Sequence, residues 1–146
     1  MDRERYLEYV AHFNNKRYDA VTSYFTPDIT VEYYDNASYS GPPAKTLYGP
    51  QGFIENYKRL HEYVDEVLEL GDFMVNERLL FAELWTEFYC FKEPEEGSGL
   101  PWKKGDLVLM TNWVLYNLVG DKMKRIRIAH FRMHDPKLTK FFKDKL

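Results

Sequence analysis

Cysteine occurs once in this chain, as Cys90, so a disulfide framework and a cysteine-based metal site are both excluded and a reducing compartment fits. Charge of one sign is lacking too. With 20 basic and 23 acidic side chains the net charge is only -3, which makes no field for nucleic acid or anionic lipid, and neither partner is expected. No apolar run reaches the ~18 residues that a spanning helix needs. The opening MDRERYLEYV is charged where a signal peptide would be apolar, so a cytoplasmic protein with no membrane contact is the expectation. In that setting the sequon Asn36-Ala37-Ser38 reads as chance. Internal repeats, a Gly-rich phosphate loop and a Ser-His-Asp or Cys-His constellation are missing as well, which leaves proton transfer as the chemistry within reach.

What is abundant is aromatic side chain. The 146 residues include 12 Tyr and 10 Phe, and tyrosines in such number suit a pocket that is apolar in body and polar at chosen points. The length fits one domain, residues 1–146, burying about 68–70% of its unfolded surface. Tyr6, Tyr9, Val10 and Phe13 recur at helical spacing and predict a helix over 2–14; Tyr18, Val21, Tyr24 and Phe25 predict a second, ended by Pro27. Ile29 to Tyr34 is β-branched and aromatic, hence a strand, and 35–49 is a loop rich in Asn, Ser, Gly and Pro. Pro50 opens a third helix with Phe53, Tyr57, Leu60 and Val64 as its core stripe and His61 at the edge. Strands are then expected over 66–75 and 79–91, a mobile loop over 92–105, and a long hairpin from Asp106 to Asp135 turning at Gly120-Asp121-Lys122. A tail follows in which Leu138, Phe141 and Phe142 suit one helical turn or two. The order is α+β, with helices gathered on one face of a curved sheet of antiparallel neighbours and a cavity beneath them.

Alternation along the last strand puts Ile126, Ile128, His130, Arg132 and His134 on one face. Two histidines and an arginine in line with isoleucines point to a polar station in an apolar pocket, where histidine exchanges protons and arginine lowers its pKa or holds an oxyanion. His130 and His134 cannot share a metal ion, since four strand residues separate them by about 13 Å; no metal and no cofactor is expected. On the preceding strand Val108, Met110, Asn112, Val114 and Tyr116 share one face, and Thr111, Trp113 and Asn117 the other. Whichever is concave supplies the pocket's polar groups. Tyr34, Asp35, Tyr39 and Tyr57 are further candidates for the mouth or wall, though packing explains each tyrosine more plainly. The basic run Lys122, Lys124, Arg125 and Arg127 is read as outer-face ion pairing with Glu83 and Glu87 or as a dimer contact.

The segments FTPDITVEYY and TLYGPQGFIENYKRL, with the hairpin closing on HFRMHDP, together resemble the NTF2-like superfamily, in particular its SnoaL-like branch of polyketide cyclases and fungal natural-product isomerases. The resemblance spans nearly the whole chain. It implies a cone-shaped barrel, a curved mixed sheet whose concave face is covered by the N-terminal helices, a homodimer through the outer sheet face and a cofactor-free site inside. It also implies that Asp135 sets the register, so that Arg132 and His130 point inward, with an acid or base near His61 on the helix across the cavity. The carboxylate pair of ketosteroid isomerases and the catalytic sets of limonene epoxide hydrolase and scytalone dehydratase are not clearly present, so those activities do not carry over. The reading is therefore a cofactor-independent isomerase, cyclase or dehydratase of a small apolar natural product. In it His130 is general acid or base, Arg132 its partner, and His61 or Tyr116 the group across the cavity. Asn112, Tyr57, Tyr34, Tyr39, His134 and Met110 are the substrate contacts. The alternative is a silent ligand-binding or dimerisation module whose interior is filled by its own side chains.

Overall fold

The computed structural model describes residues 1–34 and 41–146. Three helices lie along it: α1 (Arg3–Asn14), α2 (Tyr18–Thr22) and α3 (Gly49–His61). Six strands, β1 (Phe25–Tyr34), β2 (Lys45–Tyr48), β3 (Val64–Val75), β4 (Leu79–Cys90), β5 (Leu107–Val119) and β6 (Lys122–His134), form one sheet in the order β2-β1-β6-β5-β4-β3. All neighbours are antiparallel except β1 and β6, which run parallel and make the sheet mixed. This is the α+β cone with helices over its hollow face.

Each helix has a local cause. The Asp2 side chain accepts from the Arg5 amide at 2.8 Å and caps α1, which satisfies one of the donors that a helix start leaves bare. Its stripe Tyr6, Tyr9, Val10 and Phe13 is buried, and α1 lies against β3 while α3 covers β1. Pro50 occupies the first turn of α3, where its missing N–H costs nothing. The inner face of β4, Leu80, Ala82, Leu84, Thr86, Phe88 and Cys90, is buried throughout.

The sheet bends where its ladders slip. β1 shifts register between Phe25 and Thr30, around Pro27, which has no N–H for the ladder. β3 shifts between Leu70 and Phe73. Gly71 sits in that step, and a Cβ there would come 3.1 Å from the Glu83 Oε1 atom. β6 carries an extra residue, Phe131, between the partners of Asn112 and Thr111.

Several boundaries differ from the sequence expectation. The second helix stops at Thr22 and Phe25 already belongs to β1, because the ladder to Met123 captures it. Val64, expected on the α3 stripe, opens β3 and packs with Tyr63, Phe88, Cys90 and Met110. The short edge strand β2 lies inside the stretch read as loop. The tail forms two single 3-10 turns, and of its three expected anchors only Phe142 is buried, Leu138 and Phe141 being exposed. Arg125 pairs with Glu32 of β1, at 2.6 Å and 2.9 Å, and not with β4, because β5 separates β6 from Glu83 and Glu87.

Candidate active site

The hollow of the cone is a cavity of about 530 Å³, within the range of small-molecule sites. Its wall is largely apolar, with Leu84, Phe88, Val114, Ile126 and Ile128 from the sheet and Phe13, Phe53 and Leu60 from the helices. Leu100 and Trp102, from the loop expected to be mobile, also line it, and Trp102 packs on Phe88 with ring centroids 5.1 Å apart.

The concave face of β5 is the one bearing Met110, Asn112, Val114 and Tyr116, so the open question of its orientation is answered. His130 lies opposite Asn112 and lines the same wall. A chain of hydrogen bonds fixes its tautomer. Thr86 Oγ1 donates to the Leu84 carbonyl at 3.4 Å, Asn112 Nδ2 donates to Thr86 Oγ1 at 3.1 Å, and this turns Asn112 Oδ1 toward His130 Nδ1, 2.8 Å away. An amide oxygen only accepts, so His130 Nδ1 carries the proton. In the neutral ring the lone pair is then on Nε2, which has no hydrogen-bond partner among the described residues.

A second polar station stands on the β3 side. His61 is buried behind the wall, with Nε2 3.0 Å from Glu66 Oε1 and Nδ1 2.6 Å from the Tyr18 hydroxyl. The carboxylate accepts from Nε2–H, and in the neutral ring the tyrosine donates to Nδ1. Both nitrogens of His61 are therefore engaged, and it is Glu66 that lines the cavity. Glu66 was not singled out from sequence: it is one of several acids in VDEVLEL, and only the pairing of Glu66 with Phe88 shows that it faces inward.

Tyrosines complete the polar inventory. Tyr116 and Tyr6 join hydroxyls at 2.6 Å, and Tyr33 and Tyr57 at 2.5 Å. Burial, the main cause in each, pushes all four phenols above their usual pKa, so they stay protonated and serve as donors. The charge of Glu66 adds to the rise at Tyr33 and Tyr57.

Three expected contacts lie elsewhere. The extra residue Phe131 flips the strand beyond His130, so Arg132 pairs with Thr111 and is exposed on the outer side. His134 is outside too, with its Nε2 2.7 Å from Thr111 Oγ1 and its ring stacked on Trp85 at 4.6 Å. Burial and then the charge of Arg132 lower the pKa of His134; the arginine thus acts on that histidine and has no part in the cavity. Tyr34 falls on the outer face, donating to Glu32 Oε1 at 2.6 Å. Asp35 and Tyr39 lie outside the described residues. Among the described residues no group of three or more His, Cys, Asp or Glu side chains is placed to hold a metal ion, and no helix is long and apolar enough to cross a membrane.

No protein-family model and no curated protein matches the chain. Solved structures do. A candidate polyketide cyclase from Xanthomonas campestris pv. campestris superposes with a TM-score of 0.66 at 18% identity, covering 83% of each chain. The epoxide hydrolase/cyclase-like enzyme SalBIII, of pyran ring formation in the polyether salinomycin, superposes with a TM-score of 0.63 at 16% identity over 87% of this chain and 88% of its own. An NTF2-like protein of unknown function from Burkholderia pseudomallei gives 0.64 at 11% identity over 86% of each. The fold is therefore that of the NTF2-like proteins.

Proposed function

We propose that this NTF2-like chain is a cofactor-independent enzyme of the SnoaL-like kind, an isomerase or cyclase of a small, largely apolar natural product working by proton transfer. The observation that carries the reading is the tautomer of His130: Asn112 holds its Nδ1–H and leaves Nε2 as a free base on the wall of an apolar cavity. A proton beside a substrate carbonyl passes to Nε2, and the imidazolium keeps its bond to Asn112. The enolate oxygen is met by a phenol of the Tyr33–Tyr57 pair, in which one hydrogen lies between the oxygens and the second remains to be donated. Glu66 is the second proton station, and His61 with Tyr18 links it outward, since Tyr18 is half-buried. Cyclase and epoxide hydrolase/cyclase names among the structural neighbours support the class.

The test is solvent-deuterium uptake by a panel of cyclic β,γ-unsaturated ketones and 1,3-dicarbonyl polyketide mimics, followed by mass spectrometry. Loss of a general acid-base group typically costs ~10²–10⁴ in rate, so His130→Ala should fall by that order and Glu66→Gln by a comparable one, both still folded. Uptake undiminished in His130→Ala sinks the assignment. The silent-module alternative needs an interior filled by its own side chains, and the open cavity with a free His130 nitrogen speaks for chemistry over that reading.

A further inference from the structure

The rim of the cavity carries charge that the proton-transfer reading does not use. Lys45 on β2 and Arg59 on α3 both line it, from exposed positions. Asn56 stands with them, one helical turn before Arg59 and Leu60, so all three belong to the α3 face turned to the cavity. Lys45 Nζ donates to Asn56 Oδ1 and lies 6.0 Å from the centroid of the Tyr33 ring. Burial first, and the charge of Arg59 second, lower the pKa of this ammonium, so the two cations are close enough to repel.

Several other cations on the molecule are paired. Arg125 meets Glu32, Lys124 meets Asp28, Lys140 meets Glu69 and Lys16 meets Asp65. Among the described residues Lys45 and Arg59 have no carboxylate within ion-pair distance. Two like charges at the rim of a largely apolar cavity are an unfavourable arrangement that an anion between them would reverse.

We propose that this rim binds a carboxylate of the substrate, so that the ligand is an apolar body ending in an acid. The body lies inward against Leu84, Val114, Ile126 and Ile128, and the carboxylate stays between the Lys45 ammonium and the Arg59 guanidinium. Arginine offers a planar fork that matches both oxygens, and lysine adds a point charge. Glu66, deeper in the wall, repels an acid that enters the other way round. Binding polarity is thus set by the exposed cations of the rim and the buried carboxylate of Glu66. The inference rests on the reading of the cavity as a substrate site, and binding alone tests it.

The probes are 1-pyrenebutyrate and its primary amide, which share one body, titrated into the full chain with tryptophan emission as readout, since Trp102 lines the cavity. The acid is expected to bind about 10-fold more tightly than the amide, the scale of a charge-assisted hydrogen bond. That advantage should shrink between low and high salt. Arg59→Gln and Lys45→Gln should each remove most of it, and the double change Lys45→Glu with Arg59→Glu should reverse the preference. Melting temperatures of the variants report that they are folded. Equal affinity for acid and amide overturns the rim site and leaves the proton-transfer reading standing, as does an acid preference that survives both single changes. A cavity that binds neither probe overturns both.

Discussion

His130 owes its proposed role to neighbours that never touch substrate. The order Leu84 carbonyl, Thr86, Asn112, His130 runs across three strands, and each link constrains the next, so the histidine's lone pair is positioned by a threonine two strands away. Asn112→Leu should leave the cavity in place but free the ring to rotate. The expected outcome is a fall in kcat of about 10–100-fold, the scale of lost second-layer support, with KM little changed. Thr86→Val, which keeps the shape and removes the hydroxyl, should cost less in rate and ~1 kcal/mol or so in stability for the buried amide it leaves short of a partner. A Thr86→Val enzyme as slow as His130→Ala would show that the threonine does more than orient. Strand alternation made His130 and Asn112 visible in the sequence, because parity needs only local periodicity. Glu66 and Thr86 were not visible as site residues, since which parity faces inward depends on pairing with strands far along the chain.

At the level of elements, one inserted residue decides what the last strand does. Without the bulge at Phe131, alternation would carry Arg132 and His134 into the cavity; with it they join Trp85 and Thr111 on the other side. The sequence shows no mark of the bulge, as no Gly or Pro stands there. The tail is held by a contact that periodicity does not show. Its anchor is polar: buried Glu87 accepts from Thr139 Oγ1, from the amides of Lys140 and Phe141 at 2.8 Å and 3.3 Å, and from Trp85 Nε1 at 2.6 Å. Burial pushes the Glu87 carboxyl up, but donors from Thr139, Trp85 and the two amides outweigh it and leave the pKa below the ordinary 4.5. A carboxylate lowered by folding adds stability above its unfolded pKa and loses it as pH falls through the lower folded value. The tail should therefore hold at neutral pH and loosen in acid below the usual carboxylate range. Glu87→Gln should loosen it at pH 7, costing about 1–3 kcal/mol. Limited trypsin digestion at Lys137, Lys140 and Lys143 reads this, and a Glu87→Gln tail as resistant as the native one would refute it.

For the molecule as a whole, helix and strand types were legible because amphipathic stripes and alternating faces recur along the chain, and the fold follows from their order. The edge strand β2 escaped because four residues, KTLY, have too few periods to show. The outer face bears on assembly. On that face Trp85 and Tyr89 are covered by the chain's own tail, under Lys140, Lys145 and Phe142, and Met133 lies opposite cavity-facing Met110. What stays open is a stack of Trp113 on Phe131, centroids 3.7 Å apart, with Phe81 edge-on to Trp113 at 6.1 Å. Beside it is a hollow lined by Tyr34, Leu115, Arg127 and Ala129. Arg127 Nε is buried there with no hydrogen-bond partner among the described residues, and such an atom is costly to leave unpaired. We propose that this face is the homodimer contact. A two-fold axis would set the aromatic stack of one copy against the hollow of the other, and a stable contact needs about 800 Å² from each partner. Sedimentation at micromolar concentration should give twice the chain mass of 17.5 kDa. Trp113→Glu or Phe131→Lys, both at exposed positions, should yield folded monomers with the cavity unchanged. A wild-type chain that sediments only as a monomer, or variants that remain dimeric, would place the contact elsewhere or remove it, and would leave the aromatic stack without the partner that its exposure calls for.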